Sequence, residues 1–92
     1  MDAVERIIKH PIRKRLIEAL WHSSEPLSAR HFYSDYVDDG TSLATIGYHV
    51  RVLERDGVAE TARVEEEAES VERFVVLGGP NCAEAIRRLG LT

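Results

Sequence analysis

Apolar residues recur at helical spacing between Ser42 and Asp56, and the rest of the chain is arranged around this stretch. Ile46, Val50 and Leu53 lie at i, i+4 and i+7, so that they share one face of a helix. The opposite face carries small or flat side chains and one cation, where a solvated face would carry Glu and Lys. The pattern predicts a helix from Ser42 to Asp56 that approaches another surface closely. An ordinary core helix with a small outer face is the alternative.

Three helices are predicted before this stretch. The first covers about residues 2–9, and the second begins at a proline and covers residues 11–22. Ser28 is a natural N-cap for a third helix over residues 29–37, and two aspartates followed by a glycine mark a break after it. Two helices joined by a short glycine-containing turn form a helix-turn-helix unit.

After Gly57 the apolar period changes from helical to two. Residues 58–64 alternate apolar and polar positions, and residues 72–77 form a β-rich run. The acidic segment between them, residues 65–70, is predicted to be a polar hairpin tip. Two strands joined in this way behind a helix-turn-helix unit form a wing.

A last helix is predicted over about residues 80–91, where Asn81 and Glu84 have the spacing of a capping box. The predicted fold is therefore mainly α with a small β-hairpin. It is a winged helix-turn-helix fold in the order helix, helix, helix, recognition helix, hairpin, helix. A chain of 92 residues is expected to form a single domain over residues 1–92.

Composition and charge narrow the range of functions. The net charge is −4 and the sequence pI is about 5.5, so the whole chain carries no basic footprint for nucleic acid, and a local patch would have to supply one. One cysteine, Cys82, excludes an internal disulfide and fits a reducing compartment. With no apolar run of membrane-spanning length and no signal peptide, the protein is expected to be cytoplasmic.

Metal sites and catalytic sites lack the residues that they need. A thiolate site requires two or more cysteines, and the four histidines are scattered along the chain. There is no Ser-His-Asp order and no pair of carboxylates on a predicted cleft, and GGPN at residues 78–81 lacks the lysine of a phosphate-binding loop. We therefore expect no metal, no cofactor and no enzymatic activity. His49 is interpreted as a hydrogen-bonded core histidine.

Two segments resemble the ArsR-like winged-helix transcriptional regulators. HPIRKRLIEAL at residues 10–20 is similar to a family opening that often reads D-P-x-R-x-x-I-L-x-x-L. SLATIGYHVRVLERDGV at residues 42–58 is similar to S-x-x-T-[VI]-[SG]-x-H-[VL]-x-x-L-x-x-x-G-[LV]. The resemblance spans roughly residues 2–91. It implies a sequence-specific DNA-binding regulator, here interpreted as a repressor, that is usually a homodimer and places its recognition helix in the major groove.

The chain departs from the family pattern in three ways. His10 stands where the family commonly has Asp, and Leu43 replaces the usual glutamine, whose side chain can bond to adenine. Four glutamates between residues 65 and 69 occupy the wing tip, where a DNA-binding wing would be basic or neutral. A solvated tip that does not touch DNA explains them. The alternative function is a winged-helix protein-interaction module that does not bind DNA and docks through the acidic wing or the small recognition-helix face.

The predicted DNA contacts come from four parts of the chain. They are the basic triplet of the second helix, an arginine of the third helix, the outer face of the recognition helix and two arginines that flank the wing tip. Arg51 is expected to contact a guanine edge or a phosphate, and Tyr48 the backbone or a thymine methyl group. The full set is Arg13, Lys14, Arg15, Arg30, Ser42, Leu43, Ala44, Thr45, Gly47, Tyr48, Arg51, Arg63 and Arg73.

A symmetric dimer is the remaining prediction. The two terminal helices carry apolar side chains that have no evident place in the core of one small winged domain. Packing them on their twofold mates would bury that surface at roughly 25 cal/mol per Å² and would imply an operator that is an imperfect palindrome. The alternative is that both helices pack on each other within one chain. The predicted interface residues are Val4, Ile7, Ile8, Ala83, Ile86 and Leu89.

Overall fold

The fold comprises five helices and a small antiparallel sheet within residues 2–36 and 40–91, which are the residues described by the structure, a computed structural model. The elements are α1 (Ala3–Ile8), α2 (Pro11–His22), β1 (Leu27–Ser28), α3 (Ala29–His31) with a π-helical turn (Phe32–Tyr36), α4 (Leu43–Arg55), β2 (Ala59–Glu67), β3 (Ser70–Leu77) and α5 (Cys82–Leu89). The three strands pair in the order β1-β3-β2. This arrangement is a winged-helix-like α+β fold.

Helix α4 agrees with the sequence prediction. The hydroxyl oxygen of Ser42 accepts a hydrogen bond from the amide of Thr45 at 3.1 Å, which caps the helix. Ile46 and Leu53 are fully buried on its inner face. Gly57 follows the helix with a φ of +77°, the left-handed conformation in which glycine commonly ends a helix.

The region before α4 differs from the prediction. The third helix is regular only over Ala29–His31 and then widens into the π-helical turn, whose first residue, Phe32, is fully buried. The predicted break covers residues 37–41, of which residues 37–39 lie outside the described residues, and Gly40 has a φ of +82°. Strand β1 was not predicted, because a strand of two residues has no periodicity to detect. It pairs Leu27 and Ser28 with the central strand β3.

The hairpin of β2 and β3, called the wing from here on, is longer than predicted. Residues 65–70 were expected to form its tip, but the pairing continues to Glu67 opposite Ser70, and only Ala68 and Glu69 turn. The expectation was wrong because backbone pairing extends a hairpin without requiring buried side chains. Four of the wing's acidic side chains therefore lie on or beside a regular ladder and are exposed.

Helices α1 and α5 pack against each other within one chain. Val4, Ile7 and Ile86 are only 4%, 0% and 5% exposed in the common core. Arg88 of α5 also bonds to Asp2, with Nη2 3.1 Å from Oδ2. The expectation that these apolar side chains lack a place in a single-chain core is wrong, because a domain of this size uses both terminal helices to complete its core.

The predicted dimer interface is reduced by this packing. Val4, Ile7 and Ile86 present no surface to a second chain, since their side chains are already covered. Ile8 and Leu89 are partly exposed at the edge of the core, and Ala83 is exposed. The dimer itself stays a prediction. Of the predicted interface residues, only these last three leave side-chain surface for a second chain.

The loop before α5 lies against the end of α4. The sequence predicted that the Asn81 side chain caps α5, but it does not. Its Nδ2 donates instead to the carbonyl oxygen of Asp56 at 2.8 Å. Gly79 has a φ of +107°, and a Cβ at this position would lie 2.6 Å from the carbonyl oxygen of Gly57. The close approach of the two backbones therefore requires glycine.

Candidate nucleic-acid interface

A cleft of about 350 Å³ opens on the outer face of α4. Its walls come from α4, from the start of α3 and from the central strand β3. The prediction had assigned DNA contacts to residues in all three of these elements, and the cleft brings five of them together. These five are Arg30, Leu43, Gly47, Arg51 and Arg73.

The outer face of α4 is flat and accessible. A Cβ at Gly47 would meet no heavy atom of another residue within 4 Å, so the space above the helix is open at this point. Ala44 and Thr45 are exposed beside it, and Tyr48 is 56% exposed. A second surface can therefore approach the helix backbone closely along this face.

Two arginines of the cleft have no partner among the described residues. Arg30 and Arg51 are exposed, and neither makes an ion pair or a side-chain hydrogen bond within residues 2–36 and 40–91. Lys14 shares this state on α2 but does not line the cleft. Unpaired guanidinium groups on an open surface are available to a phosphate or a base edge.

The wing arginines differ, because each already has a carboxylate partner. Arg73 lies 3.0 Å from Glu54, measured from Nη1 to Oε2, and Arg63 lies 3.1 Å from Glu65, measured from Nε to Oε1. Arg63 also covers the ring of Phe74, with its guanidinium carbon 4.1 Å from the ring centroid. Exposed ion pairs contribute little stability, so a phosphate can compete for either arginine, but their charge is compensated beforehand.

None of the three residues of the basic triplet of α2 lines the cleft. Arg13 was predicted to contact phosphate, but it is partly buried and its Nε donates a hydrogen bond to Nδ1 of His49 at 3.1 Å. Arg15 is exposed and lines a shallow groove on α2 beside Glu18 and His22. Sequence reasoning treated the triplet as one patch, whereas the helix turns its members to different neighbours.

Sequence reasoning missed one charged residue of the cleft. Glu72 lines it from β3, and its Oε2 accepts a hydrogen bond from the hydroxyl of Ser28 at 2.5 Å. The hydroxyl belongs to β1, and because that strand was not predicted, nothing in the sequence indicated the pair. Glu72 therefore places one negative charge beside Arg30 and Arg51.

The wing-tip glutamates do not line the cleft. Glu65, Glu66, Glu67 and Glu69 are exposed towards the far end of the wing, and none of them is among the cleft residues. The acidic tip adjoins the cleft at Val71, which lines the cleft and pairs with Glu66 across the hairpin.

Other kinds of site are not evident in the described part of the chain. Residues 2–36 and 40–91 contain no group of three His, Cys, Asp or Glu side chains that could hold a metal ion. Burial raises the pKa of the Cys82 thiol, and the nearby Glu60 carboxylate raises it further. None of the helices in these ranges combines the length and the apolar character that crossing a membrane requires.

Comparison with known proteins gives a likeness of fold. No protein-family profile matches the chain, and no curated protein matches it. A crystal structure of Rv0081 from M. tuberculosis superposes with a TM-score of 0.63 at 23% sequence identity, over 96% of this chain and 81% of that one. At this identity the likeness supports the arrangement of helices and strands described above.

Proposed function

We propose that the chain is a sequence-specific double-stranded DNA-binding transcriptional regulator, a winged helix-turn-helix protein of the ArsR-like type. Helix α4 is its recognition helix and enters the major groove. The observation that carries this proposal is that Arg30 and Arg51 have no ion-pair partner within the described residues and lie beside the small and open outer face of α4. The winged-helix-like fold and the two resembling sequence segments support it.

The dimensions of α4 suit this role. The major groove of B-DNA is about 12 Å wide and admits an α-helix. Gly47 and Ala44 let the α4 backbone sink towards the base edges, while Arg51 lies one turn further along the helix. Arg51 then reads a guanine edge, and Arg30 holds a backbone phosphate from the side of the cleft. Tyr48 contacts the sugar-phosphate backbone or a thymine methyl group.

In this proposal the protein is a repressor that acts as a cytoplasmic homodimer and needs neither metal nor cofactor. The family resemblance supports dimerisation, while Ile8, Ala83 and Leu89 are the predicted interface residues that one chain leaves partly or fully exposed. Two recognition helices related by a twofold axis would read an imperfect palindrome.

A winged-helix protein-interaction module that does not bind DNA, and docks through the acidic wing or the small recognition-helix face, is the competing function. The exposed glutamates of the wing tip are its only support, and an acidic hairpin tip is commonly just solvated. Arg30 and Arg51, which have no ion-pair partner within the described residues, instead favour an anionic partner at the small outer face of α4. We therefore place DNA binding first.

A titration of the protein against random-sequence duplexes at several salt concentrations tests the proposal. Wild type is expected to bind, and log K should fall linearly with log salt because cations of the protein displace counterions. Arg51→Ala is expected to weaken binding by about 1–3 kcal/mol at a selected sequence. Arg30→Ala is expected to weaken it about equally on all sequences and to lower the salt slope by about 1.

Arg87→Ala is the matched control, since Arg87 is an exposed arginine that pairs with Glu84 on α5, outside the cleft. It should retain wild-type affinity. Absence of salt-dependent binding in wild type, or equal losses in Arg51→Ala and Arg87→Ala, would contradict the proposal.

A further inference from the structure

Three basic side chains meet where α2 packs on α4. His10 caps α2, because its Nδ1 accepts a hydrogen bond from the amide of Ile12 at 3.3 Å. Its ring lies against the ring of His49 with 4.4 Å between the centroids. Arg13 donates from Nε to Nδ1 of His49 at 3.1 Å. The recognition helix is thus joined to α2 through an imidazole that must carry no proton on Nδ1.

His49 is a buried titratable group for which the proposed DNA contacts have no use. It is 5% exposed, and burial lowers the pKa of its imidazole, with repulsion from His10 and Arg13 lowering it further. Tyr48 of the same helix touches the ring edge at 5.3 Å between centroids. Within the described ranges, α3, the π-helical turn and β2 also pack on α4, but none of them contributes a charge that acts on His49.

We propose that His10, Arg13 and His49 form a proton-sensitive latch that holds α4 against α2, and that acid opens it and weakens duplex binding. A solvent proton that binds Nδ1 of His49 removes the acceptor of the Arg13 hydrogen bond. It also places an imidazolium beside a guanidinium and a second imidazole. Because all three groups are basic, their mutual repulsion is not offset within the cluster. The duplex arm of this inference rests on the proposed function, whereas the latch itself does not.

The sign of the pH effect follows from the lowered pKa of His49. In the unfolded chain this imidazole titrates near its ordinary pKa of 6.5, above its value in the fold. As the pH falls below the ordinary value, the unfolded chain takes up the proton first, and the free energy of unfolding decreases. The contribution of neutral His49 to the free energy of unfolding is complete above the ordinary pKa, and it is lost as the pH falls through the pKa of His49 in the fold.

Duplex binding supplies a contrast, because general electrostatics predicts the opposite trend. Protonation of exposed histidines adds positive charge, which by itself tightens the grip on phosphates in acid. The latch predicts that acid weakens binding instead. A loss of affinity on acidification therefore cannot come from net charge alone.

The test compares wild type with His49→Asn, whose Oδ1 can accept the Arg13 hydrogen bond near the position of Nδ1 but takes up no proton. Affinity for one duplex is measured at constant salt at about pH 7.5 and about pH 5.5, a range across which histidines titrate. Wild type is expected to lose about tenfold more affinity than His49→Asn, the factor that corresponds to one unit of pKa. His22→Asn, at the exposed end of α2, is the matched control and should follow wild type.

Thermal unfolding midpoints of the same proteins, measured across the same pH range, test the latch in the absence of DNA. Wild type and His22→Asn should lose more of their midpoint in acid than His49→Asn does. If no duplex binds at either pH, the proposed function fails, and the midpoints still decide the latch. Equal pH dependence of the midpoint in wild type and His49→Asn would overturn it.

An NMR titration of the His49 ring in wild type tests the latch even if His49→Asn does not fold. In wild type the ring should titrate below its ordinary pKa, and the α4 amide signals should shift with it. In Arg13→Gln, an amide donor remains but the guanidinium charge is gone, so the ring should titrate at a higher pH than in wild type. An unchanged titration midpoint in Arg13→Gln would remove Arg13 from the latch.

Discussion

At the scale of single residues, Ser42 shows how one side chain can serve both fold and interface. Its hydroxyl caps α4 and also bonds to the hydroxyl of Thr45 at 2.9 Å, on the side predicted to face DNA. Ser42→Ala removes the cap and is expected to lower the free energy of unfolding by about 1 kcal/mol, as measured by denaturant titration.

Ser42→Asp separates the two roles. Aspartate is as good an N-cap as serine and suits the positive end of the helix dipole, so stability should stay near wild type. Its negative charge would face phosphates and should lower duplex affinity about tenfold or more at low salt. Wild-type duplex affinity in a stably folded Ser42→Asp protein would place the start of α4 away from DNA.

The residue scale also shows what sequence reasoning could reach. His49 was expected to be a hydrogen-bonded core histidine, and this is confirmed, because a polar residue inside an apolar stripe needs a partner. That the partner is Arg13 could not be predicted, since the pairing depends on how α2 crosses α4. The same contact occupies Nε of Arg13, and the predicted DNA contact of this residue stays a prediction.

At the scale of elements, the junction between the end of α4 and the loop before α5 depends on two glycines in contact. Gly79→Ala combines an unfavourable positive φ with a clash of its Cβ against the backbone of Gly57. Gly90→Ala is the matched control, because Gly90 has a φ of +71° but open space around its Cβ position. The positive φ alone costs about 1–2 kcal/mol in either variant.

Gly79→Ala is therefore expected to be the less stable of the two variants by about 2 kcal/mol or more, since backbone at 2.6 Å cannot move aside as a flexible side chain can. Thermal unfolding of both proteins measures the difference, at about 4–8 °C per kcal/mol for a domain of this size. Equal midpoints would mean that the backbones of Gly57 and Gly79 can move apart at little cost in free energy.

Elements with a strong period were predictable, and those set by distant pairing were not. The 3.6-residue stripe of α4 and its caps lie in local sequence, so its bounds agree to within one residue. Strand β1 exists only because β3 lies beside it, and the extra length of the wing comes from cross-strand hydrogen bonds. Neither feature leaves a local pattern.

At the scale of the whole molecule, three elements from separate parts of the sequence form the cleft. The sequence predicted Arg30, Arg51 and Arg73 as contacts individually, and the fold places them around one opening. It could not predict which arginines stay unpaired, because Arg73 of β3 reaches Glu54 of α4 only when the wing lies beside that helix. Arg63 and Arg73 are thus compensated by carboxylates, whereas Arg30 and Arg51 have no ion-pair partner within the described residues and share the cleft with a single carboxylate, that of Glu72.

An NMR titration of the labelled protein with a binding duplex tests the central claim most directly, because it reports which surface the DNA covers. The largest amide shifts are expected at Gly47, Tyr48 and Arg51, with Arg30 following and α5 unchanged. Shifts concentrated on the wing tip at residues 65–69, or on α5, with the outer face of α4 unchanged, would contradict the assignment of α4 as the DNA-reading helix.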